Sequence, residues 1–204
     1  MTITTPNDRT PLPPIRRNHR QATATAAAVL VGLLGFSLAQ LHATTLARME
    51  LADLVRQSDY IVRARCLTTA TESGSGQVWT LSTFAVTEAW KGNPPSPFTV
   101  RLPGGELPGM RVAVEGAPRF DPGEDVVLFL LAGAAGRMNV VGWLQGTFRV
   151  LPNPRTGSAE AVQDTAGLLV LDAHSGASSP GARRQLPLAS LRAAVEAAIR
   201  KVPQ

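Results

Sequence analysis

The sequence predicts a mainly-β fold, a small antiparallel OB-like barrel with a short N-terminal helix and a C-terminal amphipathic helix; a β-sandwich is the second architecture the same strands allow. Three observations carry this expectation. Apolar and polar residues alternate over several stretches between Tyr60 and Glu115, clusters of Gly, Pro, Asn and Asp separate those stretches, and residues 126–132 form a continuous apolar run short enough for a strand covered on both faces.

The elements follow in order. Residues 46–57 carry Leu46, Met49, Leu51, Leu54 and Val55 with Glu50, Asp53 and Arg56 between them, a short amphipathic helix behind a Thr44 or Thr45 cap. Residues 60–67 alternate, with Tyr60, Val62, Ala64 and Cys66 on one side and Ile61, Arg63, Arg65 and Leu67 on the other, so two arginines are expected on the wet face. In residues 78–90 the parity slips: Trp79 and Leu81 are odd, whereas Phe84, Val86 and Trp90 are even, and a bulge near Ser82-Thr83 would reconcile them. Lys91-Gly92-Asn93-Pro94-Pro95 is a turn; Phe98, Val100 and Leu102 begin another strand, and Met110, Val112 and Val114 repeat the pattern. Asp121-Pro122-Gly123-Glu124-Asp125 turns into the central run. Val140, Val141, Trp143, Phe148 and Val150 form a strand pair interrupted by Gly142 and Gly146, where a bend or close backbone approach is expected. Residues 161–162 and 168–171 predict a last hairpin, and Leu188, Leu191, Val195, Ala198, Ile199 and Val202 fall at the spacing of a terminal amphipathic helix.

Ahead of all this stands a leader. Arg16, Arg17 and Arg20 precede an apolar stretch, 22–39, that opens at Ala22 and closes at Ala39, followed by a short polar exit at Gln40-Leu41-His42-Ala43. This is the pattern of a secretory signal cleaved after Ala39 or Ala43, which divides the chain into residues 1–43 and a single mainly-β domain, 44–204. If left uncleaved, the stretch from Ala22 to Ala39 has the length of a minimal single-pass anchor, about 18 residues. The residues after Arg16-Arg17, Asn18-His19-Arg20, lack the apolar character of a twin-arginine signal.

Charge and cysteine narrow the classes. The formal charge of the chain is +5; residues 1–43 hold Arg9, Arg16, Arg17 and Arg20 against Asp8, which leaves +2 for the remainder. The remaining arginines are scattered singly, unlike the clustered footprint of a nucleic-acid binder, so no nucleic-acid partner is expected. A lone Cys66 excludes an intramolecular disulfide, and stability must come from a core, which a domain of about 160 residues can supply. Because Cys66 shares its face with Val62 and Ala64, it reads as a buried, unreactive thiol.

The run Leu54-Val55-Arg56-Gln57-Ser58-Asp59-Tyr60-Ile61-Val62-Arg63-Ala64-Arg65, followed by Phe84-Ala85-Val86-Thr87-Glu88-Ala89-Trp90-Lys91-Gly92, resembles the opening of bacterial exported proteins related to the netrin-like, TIMP-like OB-fold barrels. In those, an (A/S)D-x-I-V-x-G-x-V strand precedes an F-x-V-x-E-x-x-K-G strand. The resemblance covers residues 54–130 and implies a barrel and an extracytoplasmic setting. TIMP-like inhibitors use a cysteine at the mature N-terminus, whereas this chain would begin at Gln40 or Thr44 with Cys66 inside a strand, so inhibition does not carry over.

Chemistry-bearing residues are sparse. His174 is the one histidine of residues 44–204, so a His-rich metal site is excluded and any Ser-His-Asp arrangement must use it. It sits in Asp172-Ala173-His174-Ser175-Gly176, within a Gly/Ser/Pro loop. Of the acidic residues Glu115, Asp121, Glu124 and Asp125, three share one turn without the alternate-oxygen spacing of a calcium loop. Pro103-Gly104-Gly105-Glu106-Leu107-Pro108-Gly109 lacks the Lys-Ser/Thr of a phosphate loop and reads as a strand connection. No catalytic residue, cofactor or metal is therefore expected. The expected function is a non-catalytic binding module of the cell envelope, periplasmic or extracellular, which meets an envelope or extracellular protein through its barrel face or through residues 104–109 and 142–146, with Trp79 or Trp143 in the exposed patch. The alternatives are a membrane-anchored structural protein and a hydrolase dependent on His174.

Overall fold

The computed structural model describes residues 45–74 and 76–201. The expected leader, the cleavage positions expected at Ala39 and Ala43, the stretch from Ala22 to Ala39, Thr44 and Val202 lie outside the described residues. The elements run β1 (Thr45–Ala47), α1 (Leu51–Gln57), β2 (Tyr60–Gly74), β3 (Gln77–Lys91), β4 (Phe98–Pro103), β5 (Gly105–Leu107), β6 (Met110–Val112), β7 (Asp125–Ala132), β8 (Arg137–Val140), β9 (Thr147–Pro152), β10 (Ala159–Asp164), β11 (Leu169–Leu171), β12 (Ser178–Pro180), β13 (Arg183–Pro187) and α2 (Leu188–Lys201).

Five strands make a ring in the order β2, β3, β4, β8, β7, with β7 returning to β2. Every contact in it is antiparallel except β4–β8, a two-residue parallel pairing of Thr99 with Arg137 and Val100 with Met138. From β7 the sheet continues outward through β9 and β10 to β13. The result is the OB-like barrel expected, extended by a flank on which the two helices lie.

β7 is the junction. One of its edges pairs with β2 over Asp125 to Leu130. The other is divided: Val126, Val127 and Leu128 pair with β9, and Leu130, Leu131 and Ala132 pair with β8. Between these pairings the chain leaves the sheet at Gly142, makes a 3-10 turn at Trp143–Gly146, and rejoins the same edge at Thr147. Gly146 permits the detour, because a Cβ on it would lie 2.0 Å from the Val141 carbonyl oxygen. The predicted bend at these glycines is thus an excursion between two collinear strands.

Strand alternation sends side chains to two cores. Inside the ring, Val62, Ala64 and Cys66 of β2 meet Val126, Leu128 and Leu130 of β7 and a phenylalanine group in which Phe84 stacks on Phe98 at 5.4 Å and meets Phe120 edge-on at 5.1 Å. On the other face, Ile61, Val127, Phe129, Phe148 and Ala161 meet Leu54 and Val55 of α1 and Leu188, Leu191 and Val195 of α2. Residues 126–130 are therefore buried without a break, as the continuous apolar run requires.

The structure redraws five local expectations. Residues 46–57 are not one helix: β1 is held against β11, Arg48 N donates to Leu171 O at 2.7 Å, and the buried Gln145 accepts from Met49 N at 2.9 Å while its amide donates to Ala47 O at 2.8 Å. Those bonds fix the backbone as extended, so the helix starts at Leu51 behind Glu50 rather than behind a threonine. The bulge expected at Ser82-Thr83 lies on the partner strand at Leu67, which is passed over between the pairs Cys66–Phe84 and Thr68–Thr83. β3 keeps Val78, Ser82 and Phe84 inward because Ser82 finds a partner in Thr69 at 3.2 Å, and Trp79 goes outward. Residues 161–162 and 168–171 do not pair with each other: β10 lies between β9 and β13, and β11 lies between β1 and β12, with Thr165 bonded to both the nitrogen and the oxygen of Ala182 where the segments part. Residues 105–112 form a small β5–β6 hairpin about Pro108-Gly109 in place of a simple loop and a strand reaching Val114. Arg63 is not a solvated wet-face residue but half-buried in an ion cluster.

The terminal helix is as expected, with Leu188, Leu191 and Val195 buried and Ala198 and Ile199 packed at its margin. Gly146→Ala should cost about 3 kcal/mol or more in denaturant unfolding, or prevent folding, since backbone rather than a yielding side chain occupies the Cβ position. A loss below about 1 kcal/mol would show that the excursion tolerates a side chain there.

Candidate functional site

The residues nominated by sequence separate into structural and solvent-exposed groups. His174 is exposed; its backbone N–H and that of Ser175 donate to Asp172 Oδ1 at 2.9 and 3.0 Å, an arrangement internal to the loop. Those backbone donors hold the Asp172 carboxyl below its ordinary range. Cys66 is buried in the barrel, and burial pushes its thiol pKa up. In the acidic turn, Glu124 accepts from Arg149 Nε at 3.1 Å and from Asp121 N at 3.1 Å, and Asp125 accepts from Arg63 NH2 at 2.6 Å and from Arg63 Nε. Among the described residues no three His, Cys, Asp or Glu side chains come together as a metal site.

Arg63 joins two strands' worth of carboxylates. Beyond Asp125 it donates through NH1 to Glu88 Oε1 at 2.9 Å, while Glu88 Oε2 accepts from Trp90 Nε1 at 3.2 Å and from Arg192 NH1 of α2 at 3.0 Å. The hydrogen bond from Trp90 is the largest cause holding the Glu88 carboxyl below its usual range, with Arg63 next. Arg63 in turn holds its proton more firmly than an isolated guanidinium, chiefly through Asp125. This cluster ties β2, β3, β7 and α2 together, and all its members are engaged with one another.

The outer face of the barrel is different. Glu72 of β2 stands opposite Trp79 of β3, and Arg101 of β4 reaches diagonally across, its guanidinium carbon 3.9 Å from the Trp79 ring centroid. That distance is a cation–π contact. Arg137 of β8 completes the row. Glu72 Oε1 lies 3.8 Å from Arg101 Nε and 3.9 Å from Arg137 NH1, within ion-pair reach of both arginines and too far to hydrogen-bond either. Arg101 Nε is buried with no hydrogen-bond partner among the described residues.

Trp79 continues into an apolar groove of about 290 Å³, lined by Val78, Pro103, Gly104, Met110 and Val112 among others. The groove exists because the β5–β6 hairpin folds back beside the barrel. Gly104 makes that possible: its φ is +87°, and a Cβ there would lie 2.6 Å from the Val112 carbonyl oxygen. At the groove's margin Met110 is 48% exposed, the most exposed large apolar side chain among the described residues.

Of the two surfaces expected from sequence, the structure brings Trp79 and residues 104–109 together and leaves the other apart. Trp143 is half-buried in the excursion, and the glycines there serve backbone packing. Glu72, Arg101 and Arg137 were missed. They come from three separated strands, and only the barrel's register aligns them, so no local spacing announces the group. Comparison with known proteins finds no family model that matches the chain and no curated protein that matches it.

Two measurements check this division. Cys66 should react with a thiol reagent about a hundredfold more slowly than free cysteine and reach full reactivity on denaturation, because its thiolate is disfavoured and shielded. For Glu88, a folded-state pKa below the unfolded value means stability that is present above about pH 4.3 and lost as pH falls through the depressed folded value. Unfolding midpoints should therefore drop as pH falls below about 4.3, and Glu88→Gln should flatten that dependence.

Proposed function

We propose that the protein is an exported, non-catalytic binding module of the cell envelope, which presents the Trp79 face of its barrel to an envelope or extracellular protein. The observation that carries this reading is the continuity of the Trp79–Arg101 stack with the apolar groove beside Met110. An aromatic ring, an arginine with unused donors and an adjoining apolar cleft are the composition of protein-interface hot spots. The export half of the reading is supported by the arginine-led leader and its small-residue exit. The likeness of residues 54–65 and 84–92 to exported netrin-like and TIMP-like barrel proteins supports the same setting.

The hydrolase alternative draws little support from His174, whose loop is exposed and bonded within itself. No helix among the described residues is long and apolar enough to cross a membrane, so the anchored alternative rests on the stretch from Ala22 to Ala39.

The test is cross-linking of the full chain in its native envelope, with wild type compared with Trp79→Ala/Met110→Asp. A saturable partner protein should be captured by the wild type and lost about tenfold or more by the double variant, the scale of a hot-spot truncation. Undiminished capture would remove this face from the reading. The intact mass read from the same preparation separates a cleaved exported module from an anchored form that retains residues 1–43.

A further inference from the structure

A second cavity lies on the helix flank and shares no lining residue with the Trp79 groove. Its volume is about 220 Å³, and it sits between the β1–β11–β12 sheet, α1, the β10–β13 edge and α2. Apolar walls are supplied by Leu51 and Leu54 of α1, Leu186 of β13 and Leu191 of α2. Two arginines, Arg48 and Arg184, line the same space.

The cationic side is under-neutralised. The Arg48 guanidinium carries five N–H donors, yet among the described residues it makes one hydrogen bond, from NH2 to Ser179 Oγ at 2.9 Å. Its Nε is buried and has no partner among the described residues. Glu50 is the carboxylate within reach, at 3.9 Å from NH1, too far for a hydrogen bond, and its side chain is 64% exposed to water. Arg184 makes no ion pair among the described residues and aligns with Gln163 across the β10–β13 register.

The remaining polar wall is already spent and rigid. Gln145 uses its oxygen on Met49 N and its amide on Ala47 O, and its carbonyl accepts from Gln163 Nε2. Thr165 is bonded to Ala182 in both directions. What the cavity offers an occupant is thus a guanidinium with unused donors at one side and leucine walls at the other. Planar guanidinium donors match a carboxylate in particular.

We infer that this cavity binds a small amphiphilic monoanion, a carboxylate carried on a short acyl chain, with the carboxylate at Arg48 and the chain against Leu51, Leu54, Leu186 and Leu191. Because the site is separate from the Trp79 face, it stands whether or not that face docks a protein.

The probe is hexanoate, titrated into the exported protein and followed by leucine methyl resonances and calorimetry, with hexanol and acetate as controls. Expected is saturable binding with Kd about 1 mM or tighter, confined to the cavity leucines, with hexanol and acetate each at least about tenfold weaker. Arg48→Gln should weaken hexanoate about tenfold or more, and Arg48→Lys should recover part of the loss. Arg184→Gln is the second variant should Arg48→Gln fail to fold, and it should weaken hexanoate without changing hexanol. Absence of saturation by about 10 mM hexanoate, equal binding of hexanol, shifts outside the cavity, or an affinity indifferent to both arginine variants would each overturn the inference.

Discussion

Everything in this domain is hung on β7. A strand whose successive side chains point to opposite faces serves two cores only if both faces are apolar, and Val126 to Leu130 satisfy that with no exposed residue. Val126, Leu128 and Leu130 fill the ring, and Val127 and Phe129 anchor the helices. Its edges are just as fully used, by β2 on one side and by β9 then β8 on the other. Deleting either side chain of the outward pair would strip the helix layer from a barrel that could still close. Removing an inward one would open the barrel beneath helices that had lost nothing directly.

The same logic explains what the family-like sequence pattern does in this molecule. Lys91 extends its ammonium to the carbonyl oxygens of Val55, at 2.8 Å, and of Ser58, and so caps the C-terminal end of α1, where a positive charge is favoured. Asp59 Oδ2 accepts from Ala132 N at the far end of β7. Glu88 joins Arg63, Trp90 and Arg192. The polar residues that make the run distinctive are thus ties between the first helix, the barrel and the last helix. Such residues specify an architecture, and they leave the identity of any ligand to other parts of the surface.

How much of this was legible in the chain depended on whether the deciding force was local. Period-two alternation exposed the strands, and the burial of Val62, Ala64 and Cys66 followed from parity alone. The unbroken run 126–130 announced a doubly covered strand, and the 3.6-residue spacing of Leu188, Leu191 and Val195 announced the docking face of α2. Where a distant residue decides the backbone, local pattern misled. Leu46 and Met49 fit a helix by spacing, but Gln145, nearly a hundred residues away, holds Ala47 and Met49 extended. Trp79 and Leu81 demanded a bulge only on the premise that large apolar residues face inward. Ser82 takes the inward position with Thr69 as its partner, and Arg101 covers the ring that is displaced. The candidate surfaces were the least legible part, because Glu72, Arg101 and Arg137 are neighbours only through sheet register, and Arg48 and Arg184, on different sheets, meet only where both line the flank cavity.

The arginines also differ in how far the fold satisfies them. A buried donor without a partner costs on the order of 1–3 kcal/mol, and a fold with ion pairs to spare has no need to leave one. This domain satisfies Arg63 with two carboxylates and Arg149 with Glu124 and the Arg119 carbonyl. Among the described residues it leaves the Nε of Arg48 and of Arg101 unbonded; Arg48 lines the flank cavity, and Arg101 stacks on Trp79, which lines the apolar groove. Arg48 stands just past the end of β1, and Arg101 lies within β4 opposite Leu81, on the outer face of the barrel. A scaffold that saturates Arg63 and Arg149 while leaving these two incomplete keeps unspent hydrogen-bonding capacity near the two concavities where the proposed occupants would bind.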